Sequence, residues 1–261
     1  MYTLCVGAIF RNEAHCMKEW LEHYLLHGVE HFYLINDRST DESVTILQEY
    51  IDRGIVDLYH SNRPMYQGRQ RDAYDEFILP HLQAKEMRWL MMIDFDEFVW
   101  SPMNVDLRVV LGYLARFKQI QLGQIVFGSN GHEEQPKSVV AGFTKYWKDS
   151  PVMTAFKYIV QSDAEFVRLD VHIGRFANKE MYGDETFMIV NPEWIRLNHY
   201  NCQSKAFWQT VKMTRGDGDD WKVRDMELFN QFDKNDIEDL GLLDQNRELL
   251  TKLGYIDHKS S

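Results

Sequence analysis

Two runs almost free of polar side chains, residues 2–10 (Tyr-Thr-Leu-Cys-Val-Gly-Ala-Ile-Phe) and 89–93 (Trp-Leu-Met-Met-Ile), set the tightest limit on how this chain can fold. A strand with one face in water alternates apolar and polar residues. A run that is apolar throughout suits a strand covered on both faces, as in a parallel sheet with helices on either side. The segments between the two runs alternate as such a sheet requires. Residues 12–27 place Cys16, Trp20, Leu21, Tyr24, Leu25 and His27 at helical spacing, and Gly28 ends the helix. His31 to Ile35 reads as a short strand, and the polar turn Asn36-Asp37-Arg38-Ser39-Thr40-Asp41 supplies caps for a helix over 42–53. Gly54 closes that helix, Ile55 to Tyr59 gives a third strand, and a polar helix over 68–82 leads into the second apolar run. Strand alternating with helix predicts right-handed crossovers and therefore an α/β fold with a mostly parallel central sheet flanked by helices.

At 261 residues the chain can bury a substantial core. No linker, repeat or low-complexity stretch interrupts residues 1–200, which favours one domain followed by an extension. The net charge of −11 argues against a protein that wraps nucleic acid by releasing counterions. Residues 216–261 hold 12 acids and 6 bases and so carry −6 of it, leaving a body that can still build a local positive pocket around phosphates. Three cysteines, Cys5, Cys16 and Cys202, suit neither a zinc ribbon nor a disulfide framework and are expected as reduced thiols in the cytoplasm. The first apolar run is too short to span a membrane and lacks a charged leader, so neither secretion nor an anchor is expected.

In a sheet of this kind, ligands bind beyond the carboxyl ends of the strands. Those ends carry Arg11 and Asn12, Asp37, and Asp94 with Asp96. Asp94-Phe95-Asp96 puts two carboxylates beside one spot if the backbone stays extended through Phe95, an arrangement that a hard divalent cation accepts. The pattern alone is weak, since 22 aspartates place about two such pairs by chance and two occur, the other being Asp217-Gly218-Asp219. Context separates them. Asp94 and Asp96 end a strand otherwise without charge, where a carboxylate is costly unless it is paired or metal-bound. The second pair lies in a Gly-rich loop that water would satisfy.

The order Arg11-Asn12-Glu13, Asn36-Asp37-x-Ser39-x-Asp41 and Asp94-x-Asp96-Glu97-Phe98 resembles the nucleotide-sugar-dependent glycosyltransferases of the GT-A fold, a Rossmann-like α/β domain. The branch it resembles more closely is that of glycosyltransferase families 2 and 92. Phe127-Gly128-Ser129-Asn130-Gly131, Lys157-Tyr158-Ile159-Val160, Val171-His172, Leu197-Asn198-His199-Tyr200 and Asn235-x-x-x-Asp239 extend the resemblance over residues 3–243. It implies a glycosyltransferase domain over 1–215, with a nucleotide-binding half over 1–100 and an acceptor half over 101–215. An acidic, mainly helical extension over 216–261 follows.

It also implies roles. A departing diphosphate is neutralised by Mn²⁺ or Mg²⁺. Asp96 would bind that ion, Asp94 would meet the ribose or share the ion, and His199, with His172 as runner-up, would complete the ligands. Asp37 would accept the ring N–H of a uracil base. Arg11, with Asn12 beside it, would touch the base or phosphates, and Arg69 or Arg71 would reach a phosphate. Lys212 and Arg215 would close over the diphosphate from a flap. For an inverting transfer the general base is open among Glu133, Asp184 and Asp170, with Glu133 favoured because the loop Gly128, Ser129, Asn130, Gly131 should border the donor sugar. Trp208 and Trp221 are candidate platforms for an acceptor glycan or glycoconjugate. The resembling families place a lysine before the serine after His-Tyr, whereas here Asn201-Cys202-Gln203 precedes Ser204-Lys205, which weakens a phosphate role there. No membrane span is expected, although an acceptor at a membrane surface is compatible. A nucleotidyltransferase would need a Gly-rich phosphate loop after the first strand, and Arg11-Asn12-Glu13-Ala14 is not one. A non-catalytic carbohydrate-binding protein is the other alternative.

Overall fold

The computed structural model describes residues 1–183, 185–214 and 224–257. The first half is β1 (Tyr2–Phe10), α1 (Ala14–Leu26), β2 (His31–Asn36), α2 (Ser43–Asp52), β3 (Val56–His60), α3 (Arg69–Phe77), α4 (Leu79–Gln83) and β4 (Met87–Met92). The single helix expected over 68–82 is two, parted at Ile78. Pro80, at the start of α4, has no N–H to donate back into α3, and its ring crowds the preceding turn.

The second half runs β5 (Glu97–Trp100), α5 (Leu107–Tyr113), β6 (Gln119–Val126), α6 (Val139–Gly142), β7 (Lys145–Tyr146), β8 (Phe156–Gln161), β9 (Phe166–Leu169) and β10 (Gly174–Phe176). It continues with β11 (Phe187–Ile189), β12 (Arg196–His199), α7 (Lys205–Phe207), α8 (Met226–Phe232), β13 (Ile237–Glu238) and α9 (Gly241–Lys252). A π-helical turn, Trp208–Lys212, follows α7 directly.

The main sheet has the order β3-β2-β1-β4-β8-β6-β12-β5, and β11 also pairs with β6. Strands β3, β2, β1 and β4 are parallel, β8 is antiparallel to both of its neighbours, β12 is parallel to β6, and β5 is antiparallel to β12. The fold is thus α/β with a mostly parallel sheet flanked by helices. Strands β4 and β5 stand four places apart, which in a flat sheet is about 19 Å. Only residues 93–96 join them, a link at the limit of an extended chain, so the sheet curls and both strand ends meet at that turn.

The apolar runs do what two-sided burial demands. In β1, Leu4, Val6 and Ala8 join the core that contains α1 and α2, while Cys5 joins the core under α3 and α4. In β4, Trp89 and Met91 face the first core and Leu90 and Met92 the second. Helix α9 packs into the body of the fold: Leu242 and Leu250 are 2% and 0% exposed within the first core. Cys5, Cys16 and Cys202 are buried and unpaired. No helix among the described residues is long and apolar enough to cross a membrane.

Candidate active site

The turn after β4 is built from inside the core. The Trp20 indole N–H donates to the carbonyls of Asp94 and Glu97, at 3.1 Å each, and its ring stacks on Phe95 with centroids 4.1 Å apart. The Asp94 N–H donates to Glu97 Oε2 at 2.8 Å. With Phe95 turned inward and Glu97 folded beneath, Asp94 and Asp96 line a crevice of about 560 Å³ at the carboxyl ends of the parallel strands.

Asp96 Oδ2 accepts from the Lys212 ammonium at 2.7 Å, and its Oδ1 lies 3.7 Å from His199 Nε2. Burial alone would raise the Asp96 carboxyl, but the Lys212 ammonium beside it outweighs burial and holds the group well below the usual carboxylate range. Asp94 accepts from the Lys157 ammonium at 2.7 Å. Glu97 is fully buried, and burial pushes it up to about 7 despite Lys157 at 3.8 Å. Lys157, itself 2% exposed at the side chain, should lose its proton readily on burial, yet Asp94 and Glu97 hold it charged and raise it above the ordinary lysine value.

Asp37 is buried at the crevice wall, its carboxylate gripped by both terminal nitrogens of Arg69. Arg69, not Arg71, is therefore the arginine of α3 at the crevice. Arg71 pairs with its neighbour Asp72 and is not part of the lining, because residues two apart on a helix point to different faces. Arg11, Asp170 and His172 also line the crevice.

Asn12 does not line it: its Oδ1 accepts from the Thr40 N–H at 2.7 Å while its own N–H donates to Ser39 Oγ, so it ties the ends of β1 and β2 together at a positive φ of 57°. The Gly128–Gly131 loop likewise faces elsewhere. The Ser129 N–H donates to Asp233 and the Asn130 N–H to Asn235, and a Cβ on Gly128 would meet the Lys234 carbonyl oxygen at 2.5 Å. The loop is a dock for residues 233–235 rather than a border of the crevice. Glu133 goes with it, 73% exposed and paired with Lys205 outside the lining. Trp208 is fully buried against Phe229 and donates to the Asp225 carbonyl, which rules it out as an acceptor platform. Asp184, Arg215, Trp221 and the pair Asp217 and Asp219 lie outside the described residues.

Glu97, Lys157 and Gln124 also line the crevice, three residues to which the sequence attaches no role. Lys157 did carry a signal, a charge in an otherwise apolar strand; Gln124 carried none. Among the described residues one group of three potential metal ligands, Glu13, His15 and Cys16, has ligand atoms within 4.8 Å of one another. Burial and the nearby carboxylates keep that thiol protonated, and it donates toward the Phe95 carbonyl. Asp96 and His199 both line the crevice and face the Lys212 ammonium, whereas of Glu13, His15 and Cys16 only Glu13 is part of the lining.

The sequence profile of glycosyltransferase family 92 matches residues 1–240. A glycosyltransferase family 92 protein of Oryza sativa subsp. japonica is 25% identical over 215 residues, which are 81% of this chain and 35% of that protein. The chain thus spans about a third of the length of the curated relative it matches. Among solved structures, S. aureus TarS 1–349 in complex with UDP-GlcNAc is similar with a TM-score of 0.47 and 11% identity, covering 97% of this chain and 75% of that one. A mannosyltransferase of Pyrobaculum calidifontis, in complex with GDP-Man and Mn²⁺, is similar with a TM-score of 0.36 and 15% identity over 48% of this chain and 36% of that one.

Proposed function

The chain belongs to glycosyltransferase family 92, and from that premise we propose that it transfers a sugar from a uridine diphosphate sugar to a hydroxyl group of a glycan or glycoconjugate, with inversion, in a crevice that takes Mn²⁺ or Mg²⁺. The observation that carries the reading is the meeting of Asp96 with His199 and Lys212 at the ends of the parallel strands. The donors fit a divalent ion: a carboxylate and an imidazole 3.7 Å apart beside a position where an ammonium already sits, which marks it as a seat for positive charge.

Asp96 and His199 would hold the ion, with Asp94 sharing it or accepting from the ribose hydroxyls. When bound, the ion acts as a Lewis acid on the departing diphosphate. Lys212, released from Asp96, is the side chain placed to reach the phosphate oxygens, and Lys157 fixes Asp94 from below as a cation that does not leave. Asp37 accepts from the uracil N–H while Arg69 sets its orientation. Of the described carboxylates considered for the acceptor proton, Glu133 and Asp170, the latter is in the crevice wall, and it is the base in this reading.

The test is thermal. UDP with Mn²⁺ raises the melting temperature of the wild type, because a ligand that binds only the native state stabilises it. Asp96→Asn removes that shift. A wild type whose melting temperature ignores every nucleoside diphosphate, with or without metal, defeats the reading.

A further inference from the structure

The metal reading leaves open which nitrogen of His199 faces Asp96 as a lone pair and what decides it. Three adjacent strands answer through one hydrogen-bond chain. Glu97 lies opposite His199 in the antiparallel β5–β12 pair, and Gln124 lies on β6, the other neighbour of β12. Glu97 Oε2 accepts the Asp94 N–H at 2.8 Å, and Lys157 Nζ stands 3.8 Å away. Glu97 Oε1 faces the amide of Gln124 at 3.0 Å. Ionised, as in alkaline buffer, Glu97 can only accept, so the Gln124 amide turns its NH₂ toward Glu97 and its carbonyl oxygen the other way. That oxygen lies 3.1 Å from His199 Nδ1. A carbonyl oxygen can also only accept, so Nδ1 carries a proton, and in the singly protonated ring Nε2, 3.7 Å from Asp96 Oδ1, keeps its lone pair toward the crevice. Gln124 is 7% exposed and Glu97 0%, so water has little room to offer the amide another orientation.

We infer that Gln124 is a positioning residue: held by Glu97, it fixes His199 as the Nδ1–H tautomer and keeps Nε2 available to a cation shared with Asp96. An imidazole in the other tautomer would present an N–H to the ion and could not bind it. The orienting partner behind a metal-bound histidine is commonly a carboxylate or a backbone carbonyl. Here it is a side-chain amide whose own direction is dictated by a buried acid, so the instruction starts at Glu97.

The experiment reads the ¹⁵N signals of the His199 ring in the metal-free protein in alkaline buffer. The expected result is a protonated Nδ1 and a bare Nε2; a protonated Nε2 overturns the inference. Gln124→Met, similar in shape but without an acceptor, should leave the two tautomers mixed and weaken Mn²⁺ binding, titrated with the metal alone, by about 10- to 100-fold. The double variant Glu97→Gln with Gln124→Glu exchanges donor and acceptor: the side chain at 124 accepts from Nδ1–H, and the amide at 97 donates to it while still accepting from the Asp94 N–H. It should restore both the tautomer and the affinity, which simple repacking would not do. Tautomer and Mn²⁺ affinity both unchanged in Gln124→Met also overturn the inference. The inference rests on the metal reading for its purpose only, and the two fail separately: a wild type that binds no Mn²⁺ defeats that reading, while the ring signals, which need no metal, still decide the tautomer.

Discussion

Lys212 and Asp96 are each about nine-tenths buried at the side chain, and their ion pair places a fixed ammonium where a divalent ion would have to enter. The lysine is therefore a competitor of the metal as well as a partner of the phosphates. Lys212→Met removes the competitor and leaves Asp96 a buried carboxylate without its ammonium partner. Two effects of opposite sign follow. The metal-free protein loses about 3 kcal/mol or more, the usual result of stranding one half of a buried pair. The affinity for Mn²⁺ alone rises by about tenfold, because no part of the binding energy goes to expelling an ammonium. Denaturant titration with and without Mn²⁺ measures both, and a variant that binds Mn²⁺ more weakly than the wild type refutes the competition. At this scale the sequence was a partial guide. Asp94 and Asp96 could be placed at the crevice because strand ends in a parallel sheet converge, whereas His199 and Lys212 entered only through the family resemblance. Choosing Arg69 over Arg71 needed the rotation of α3 about its axis, which packing against the sheet decides and a polar helix does not reveal. The Gly128–Gly131 loop was read toward the crevice because its dock, residues 233–235, lies about a hundred residues further along the chain.

Between elements, α9 is clamped to α1 through buried imidazoles. Asn246 of α9 donates to His23 Nδ1 at 2.9 Å and its carbonyl oxygen faces His27 Nε2 at 2.9 Å, while His23 Nε2 lies 3.0 Å from the Val99 carbonyl. Burial lowers both imidazoles below their ordinary value, His23 well below, where a positive His27 would add repulsion. The sign follows from where the protons go. The unfolded chain takes them up near pH 6.5 and the folded one only at lower pH, so this part of the stability is whole above about 6.5 and drains away as pH falls. The slope reaches about 1.4 kcal/mol per pH unit for each histidine. Urea denaturation stepped from neutral to acid pH should show it, and His27→Gln should flatten it by one histidine's share. An unchanged slope would mean that the ring is already charged when folded. The histidines of α1 were visible as part of a helical stripe, but their partner was not, since nothing in residues 12–27 announces an asparagine on the last helix. Elements β1 to β4 were legible because their apolar runs are long and their turns chemically explicit. The split of α3 from α4 turned on Pro80, whose effect a polar periodicity masked.

For the molecule as a whole, the stretch that carries the family signature and the stretch that folds are not the same length. The family match ends at residue 240, and α9 begins at Gly241. Yet Leu242 and Leu250 sit in the same core as Trp20, Trp89 and Leu197, and Asn246 is fully buried against α1. Cutting the chain after residue 240 would expose that part of the core and strip His23 and His27 of their shared partner at once. Losing a single buried leucine costs about 2–5 kcal/mol, and a whole domain is stable by only about 5–15 kcal/mol. The truncated chain should therefore unfold at much lower urea than residues 1–261, or fail to fold. Leu250→Ala in the full chain should show an intermediate loss, with the steepness of the transition unchanged because the same surface is exposed on unfolding. Circular dichroism across a urea series compares the three chains, and a 1–240 chain with the midpoint of the full one would show that α9 is an appendage. Because Trp20 of α1 also holds the turn that carries Asp94 and Asp96, the loss does not stay at the C-terminal end. A truncation that still folds should bind Mn²⁺ more weakly than the full chain, although it removes no side chain from the crevice.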